Sequence, residues 1–94
     1  MKIRQFGVIT FKSVNHAIRT ESVFKDYDIE FRTIPTPREI THSCGLALKF
    51  DLKDKELAKK IIIENQLGIE GMFKVVKNEK GSFAEKINWK QGEL

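Results

Sequence analysis

Four short stretches of this chain have the apolar pattern that is typical of β-strands. Residues 6–11 are rich in aromatic and β-branched side chains. Apolar residues alternate with other residues in 29–34 and 46–50, and residues 71–76 form a fourth apolar segment. Such side chains pack well on a pleated surface, and successive ones point to opposite faces. The pattern therefore predicts four strands.

Two further stretches have apolar residues at helical spacing. The first follows Ser13, a suitable N-cap residue, and ends at the turn Asp26-Tyr27-Asp28. The second follows the polar residues 51–54 and stops before Gly68. The predicted buried faces are Val14, Ala17, Ile18, Phe24 and Tyr27 in the first helix, and Leu57, Ala58, Ile61, Ile62 and Asn65 in the second.

The resulting order, βαββαβ, predicts an α+β, ferredoxin-like sandwich, in which a four-stranded antiparallel sheet carries both helices on one face. We expect this domain to span residues 1–78. Residues 79–94 are mostly polar, with Phe83, Ile87 and Trp89 among their large apolar side chains. We expect this segment to be a polar tail or a short helix over residues 82–90.

Composition narrows the class of protein. The 94 residues, 40% hydrophobic and 32% charged, suit one globular domain. No apolar run approaches the roughly 20 residues that cross a bilayer, and the apolar stretch that follows the basic start, residues 6–11, is too short and too β-like for a secretory signal. A single cysteine excludes an internal disulfide, so we expect a cytoplasmic protein. One cysteine and two histidines without paired spacing are too few for the usual four ligands of a metal site, so we expect no metal. We also expect no cofactor.

The net charge of +4, from 17 basic and 13 acidic residues, is mildly basic. Lysines alternate with acids along the chain, as in Glu79-Lys80 and Glu85-Lys86, which predicts a solvated surface of mixed charge. RNA-recognition modules share the βαββαβ order but carry aromatic side chains on their central strands. The third strand here begins Gly45-Leu46-Ala47 and offers no stacking platform. Nucleic acid is therefore not the expected partner.

Residues 34–45 form an unusual connection between the second and third strands, which we call the proline arm. It contains both prolines, the cysteine and one of the two histidines, in the order Ile34-Pro35-Thr36-Pro37-Arg38-Glu39-Ile40-Thr41-His42-Ser43-Cys44-Gly45. Each proline fixes its own φ and restricts the residue before it. The arm is thus predicted to be stiff where it leaves the second strand, and to present a polar run before the cysteine.

Cys44 is the candidate reactive group, because a thiolate is nucleophilic and a nearby cation such as Arg38 lowers a thiol's pKa. Gly45 leaves one side of the sulfur open. The alternative is a buried structural cysteine, since free cysteine often packs as a small hydrophobe. His42 is either a base for the thiol or a solvated loop residue, and Glu39 is the nearest candidate to orient it.

The arm resembles a family of small bacterial proteins described as selenium/sulfur-carrier-like. The resemblance rests on Ile-Pro-x-Pro-Arg at residues 34–38 and Ser-Cys-Gly at residues 43–45, supported by Val8-Ile9-Thr10-Phe11-Lys12-Ser13 and by His16-Ala17, and it covers about residues 6–65. It implies that Cys44 holds sulfur or selenium as a persulfide or selenosulfide, next to Ser43. In this family the position of His42 is mostly small and polar, which speaks against a catalytic histidine.

Three functional hypotheses follow. The first is a non-enzymatic carrier that relays sulfur or selenium between a donor and an acceptor protein, with Arg38 and the Gly45 backbone stabilising the Cys44 thiolate or persulfide. The second is a ligand-sensing or homo-oligomeric assembly module, such as a homodimer, in which Cys44 is structural. The third is weak RNA binding, which would be steeply salt-dependent.

Overall fold

The structure is a computed structural model that describes residues 4–40 and 45–87. Five strands and two α-helices follow one another as β1 (Arg4–Thr10), α1 (Val14–Asp26), β2 (Phe31–Pro35), β3 (Leu46–Phe50), α2 (Lys55–Glu64), β4 (Gly71–Asn78) and β5 (Gly81–Lys86). A short 3-10 helix, Leu52–Asp54, leads into α2. The predicted α+β class is confirmed.

The strands form one antiparallel sheet in the order β2-β3-β1-β4-β5. The connection through α1 passes β3, and the connection through α2 passes β1. Two split βαβ units are therefore interleaved, and the first strand of the chain lies in the centre of the sheet.

The prediction of four strands was wrong, because β5 pairs with β4 from Phe73–Lys86 to Asn78–Gly81. The hairpin turns through Glu79 and Lys80, where the Lys80 N–H donates to Asn78 Oδ1 at 2.8 Å. Gly81 has φ +139°, a conformation that favours glycine. A short helix over residues 82–90 was also wrong in its described part, since residues 82–86 belong to β5.

The helices were predicted at the right places, but their buried faces were only partly correct. The Ser13 side chain caps α1 and accepts from the His16 N–H. In α1 the buried residues are Ala17, Thr20 and Phe24, whereas Val14, Ile18 and Tyr27 are 47%, 57% and 40% exposed. In α2, Ala58, Ile61 and Ile62 are buried as predicted, and Leu57 is exposed. The α1 prediction failed because the polar Thr20 completes the buried stripe.

Two apolar clusters lie on opposite faces of the sheet. The larger one joins both helices to the sheet and includes Phe24, Ile61, Ile9, Leu48 and Met72. The smaller one has its described members in the strands and the proline arm: Phe6, Val8, Ile40, Ala47 and Val75, with Ile34, Phe73 and Ala84 partly buried against them. Both helices thus cover one face, and the arm reaches the other.

Candidate functional site

The proline arm is closed at its base by strand pairing. Pro35 is paired with Leu46 in the β2–β3 ladder, and the Thr36 N–H donates to the Gly45 carbonyl at 3.0 Å. The ladder therefore extends one residue beyond Pro35, and the arm leaves it after Thr36 and rejoins it at Gly45. This pairing is compatible with proline because β2 is an edge strand, where a residue without an N–H leaves no inter-strand bond unmade on the outer side.

The first part of the loop turns back towards the sheet. The Ile40 N–H donates to the Pro37 carbonyl at 3.0 Å, which places Arg38 and Glu39 at the exposed outside of the turn. Ile40 itself is only 6% exposed and packs in the cluster with Phe6 and Val8. The arm is thus anchored by an apolar side chain to the face of the sheet opposite the helices.

The base of the arm is open at Gly45. Gly45 is exposed, and a Cβ built on it would meet no atom within 4 Å. Its φ does not lie in the positive region, in contrast to that of Gly81. The residue that follows Cys44 is therefore free of steric crowding, and no backbone strain explains the glycine.

The structure describes some of the predicted site residues and not others. Arg38 and Glu39 are exposed, and Gly45 is exposed at the base of the arm. Thr41, His42, Ser43 and Cys44 lie outside the described residues. The proximity of Arg38 to the thiol, and the roles assigned to Ser43 and His42, therefore stay predictions.

His16 makes its described contacts at the start of α1 and beside Gly68. Its ring Nδ1 lies 2.9 Å from Ser13 Oγ at the start of α1, and the residue is exposed, as expected for a surface or capping residue. The ring also occupies the space beside Gly68, where a Cβ would come within 2.9 Å of its Cδ2. Within residues 4–40 and 45–87, no group of three His, Cys, Asp or Glu side chains is arranged to hold a metal ion.

The face opposite the helices carries a feature that the sequence analysis missed. We call it the helix-free face, and its strand positions follow from the register and from the smaller cluster: Arg4, Phe6, Val8, Thr10, Arg32, Ile34, Ala47, Lys49, Gly71, Phe73, Val75, Lys77, Ser82, Ala84 and Lys86. Five of these residues are basic, and none is acidic.

Cation–π contacts tie two of these cations to the apolar cluster. Lys49 Nζ lies 4.4 Å from the centroid of the Phe6 ring, and Lys77 Nζ lies 5.7 Å from it. Such contacts favour a cation over an aromatic face. Phe6 is only 8% exposed, so its ring is already covered on this side of the sheet.

The expectation of a mixed-charge surface was therefore wrong for this face. Glu85 and Lys86 are neighbours in the sequence, but successive strand residues point to opposite sides. Lys86 is opposite Phe73 in the ladder and shares the helix-free face, whereas Glu85 is opposite Lys74 on the other face. The alternation of faces along a strand separates these two charges, and strand pairing then brings the cations of distant segments onto one face.

An open cleft of about 810 Å³ borders this face where β1 and β2 begin and β3 ends. Four cations line it, namely Arg4, Lys25, Arg32 and Lys49. Two acids also line it, Glu30 and Asp51, so the cations outnumber the acids by two. The positive character of the face therefore continues over this end of the sheet.

These features define a small α+β domain that carries a cysteine-containing arm on one sheet face. A family model described as "Putative Se/S carrier protein-like" matches residues 6–74, from β1 into β4, and the match includes the whole proline arm. It spans well over half of the chain, and the chain belongs to this family. The resemblance found in the sequence is thereby confirmed, and β5 lies beyond the matched residues.

Comparisons with curated proteins and with solved structures gave no match. In the described parts of the chain, no helix has both the length and the apolar character to cross a bilayer.

Proposed function

We propose that this protein is a sulfur or selenium carrier in which the Cys44 thiol holds the transferred atom. The observation that carries the proposal is the open position of Gly45, directly after Cys44 at the base of an arm anchored by Ile40. A carrier thiol must be reached by two different proteins in turn, and an unobstructed neighbouring backbone permits that approach. Membership of the carrier-like family supports the same conclusion.

Sulfur transfer to Cys44 would be a thiol–persulfide exchange. The Cys44 thiolate attacks the terminal sulfur of a persulfide on the donor protein, and a new sulfur–sulfur bond forms at Cys44. The donor's own sulfur–sulfur bond breaks, its electron pair stays on the donor cysteine as a thiolate, and the proton stays on the transferred sulfur. No external oxidant or reductant is consumed, as in ordinary thiol–disulfide exchange.

The roles proposed for the neighbouring residues follow from charge and access. Arg38 would stabilise the anionic thiolate or persulfide, because a nearby cation favours the charged form. The Gly45 backbone would leave room for the attacking partner, and Ser43 would offer a hydroxyl hydrogen bond. The carrier is proposed to act without catalysing a reaction of its own.

The same proposal covers the fold type, the partner proteins and the cellular compartment. The first four strands and both helices would represent a ferredoxin-like core, to which β5 is added at the edge. The partners would be a sulfur or selenium donor and an acceptor, and the reducing cytoplasm would keep the thiol available.

The proposal is tested by incubating the protein with a cysteine desulfurase and cysteine and then measuring its intact mass. We expect a gain of one sulfur atom, about 32 Da, on Cys44, as a persulfide that a thiol reductant removes. Cys44→Ser should gain nothing. The carrier role is excluded if wild type gains no more mass on incubation than Cys44→Ser does.

Alkylation separates a presented thiol from a structural one. Iodoacetamide at mildly acidic pH should modify native Cys44 faster than free cysteine, since only a thiol with a lowered pKa is ionised there. Modification only after denaturation would favour the assembly module with a buried cysteine. A dimeric mass on size exclusion, unchanged in Cys44→Ser, would point the same way.

A further inference from the structure

We propose that the helix-free face is a docking surface for an acidic patch on a partner protein. This inference deepens the proposed function, since the partner would be a donor or acceptor of the carried atom. It rests on the charges and packing of the sheet, which are independent of Cys44.

The first argument is the segregation of charge. All charged residues at strand positions of the face are basic: Arg4, Arg32, Lys49, Lys77 and Lys86. Neighbouring strands are roughly 5 Å apart, so these cations lie close enough to add their potentials. A chain with 13 acids could have balanced them and has none at these strand positions. An acidic surface is the electrostatic complement.

The second argument is the pairing of like charges. Arg4 is directly opposite Lys77 in the β1–β4 ladder, and Arg32 is directly opposite Lys49 in the β2–β3 ladder. Like charges in such positions destabilise a sheet. Two such pairs on one face lower the stability of the free protein, and binding an anionic surface would relieve both.

The third argument selects a protein over single-stranded RNA. RNA-binding sheets present exposed aromatic rings on which bases stack. The two aromatic residues at the strand positions of this face are Phe6 and Phe73. Phe6 is buried beneath Lys49 and Lys77, and Phe73 is partly buried in the smaller cluster. The exposed Phe83 is opposite Val76 in the ladder, on the other side of the sheet. The face therefore supplies charge without a stacking platform.

The fourth argument is the position of the arm. Ile40 packs in the same cluster as Phe6, Val8 and Ala47. Arg32 and Ile34 are two residues apart on β2, roughly 7 Å along the strand. A partner that docks on the cations is thus held over the face to which the cysteine-bearing arm is attached.

The test uses a fluorescently labelled oligo-glutamate peptide as the probe and fluorescence anisotropy as the measurement. The face variant is Arg4→Gln/Arg32→Gln/Lys77→Gln. The control is Lys12→Gln/Arg19→Gln/Lys60→Gln, which removes the same charge from exposed positions outside the face. We expect the face variant to bind about tenfold more weakly, and the control to stay within about twofold of wild type. Urea unfolding checks that both variants are folded.

Equal losses in the two variants would show that the peptide responds only to net charge, and would overturn the proposal. Tighter, face-dependent binding of an oligouridylate of matched charge would also overturn it, in favour of RNA. The Cys44→Ser protein should bind the peptide as wild type does. If persulfide formation fails while face-dependent binding persists, the carrier role is lost and the docking surface stands. If the persulfide forms but peptide binding does not depend on the face, the docking surface is excluded and the carrier role stands.

Discussion

Arg32 on β2 and Lys49 on β3 are direct cross-strand partners, and both belong to the helix-free face of the sheet. This pairing of like charges should lower the stability of the free protein. We expect Arg32→Gln to raise the free energy of unfolding by about 0.5 kcal/mol at low ionic strength. The gain should fade as salt is added, because salt screens exposed charges.

Urea unfolding at low and high salt measures this effect. Lys60→Gln removes one positive charge from an exposed helix position and corrects for the change in net charge. If Arg32→Gln destabilises the protein at low salt relative to Lys60→Gln, the like-charge interpretation of the pair is wrong.

Two glycines provide a matched pair of substitutions. A Cβ on Gly7 would run into the ring of Phe50, which is buried on the neighbouring strand. Gly7→Ala should therefore lower the free energy of unfolding by about 1–3 kcal/mol through overpacking. Gly45→Ala has open space and should change it by less than about 0.5 kcal/mol.

Denaturant midpoints compare the two variants directly. A large loss of stability in Gly45→Ala would mean that the base of the arm is more crowded than described. Because Gly45→Ala should leave the fold intact, the same variant also isolates the effect of a methyl group beside Cys44 on sulfur transfer.

The two buried threonines should respond in opposite directions to valine. Thr10 Oγ1 donates to the Gly71 carbonyl at 3.3 Å, whereas Thr20 Oγ1 is buried with no hydrogen-bond partner among the described residues. Replacing an unsatisfied buried hydroxyl by a methyl group stabilises, and removing a satisfied one leaves its partner unpaired. We expect Thr20→Val to gain about 1 kcal/mol and Thr10→Val to lose about 1 kcal/mol.

Thermal or urea unfolding of the two single variants checks this contrast, and each serves as the other's control. Destabilisation of Thr20→Val comparable to that of Thr10→Val would show that the Thr20 hydroxyl is hydrogen-bonded in solution.

Ile40 should hold the arm on the sheet. Its side chain is 6% exposed, so Ile40→Ala should lower the free energy of unfolding by about 2 kcal/mol. Limited trypsin digestion should then cut faster after Arg38, since the turn opens without its anchor. Ile18→Ala, at a helix position that is 57% exposed, is the matched control. Equal cleavage rates in both variants would argue that the arm is held by other contacts.

Much of the fold could be predicted because β1 to β4 bury apolar side chains on at least one face. The apolar pattern of these four strands can therefore be recognised in the sequence. β5 was not predicted because it is an edge strand with polar residues at half of its positions, and its pairing depends on the turn that ends at Gly81. The α1 face was misjudged because Thr20 is buried while Ile18 is exposed.

The candidate site was predictable in position but not in its surroundings. The motif around Cys44 identified the arm, and strand order placed it between β2 and β3. That Ile40 would anchor it to the helix-free face depends on packing between distant parts of the chain. The cations of that face were missed for the same reason, since Arg4, Arg32 and Lys77 are far apart in the sequence and meet only through strand pairing.

The central place of β1 has a consequence for how the chain is made. Among the described strands β1 comes first in the chain, yet it bonds only to β3 and β4, which are synthesised after α1 and β2. Pairing across such sequence separations is slow, and an unpaired apolar strand is prone to aggregate. Until residue 50 has emerged, the strand that ends in Val8, Ile9 and Thr10 has no partner from its own chain. Nascent chains of this protein should therefore depend on early shielding of their first strand.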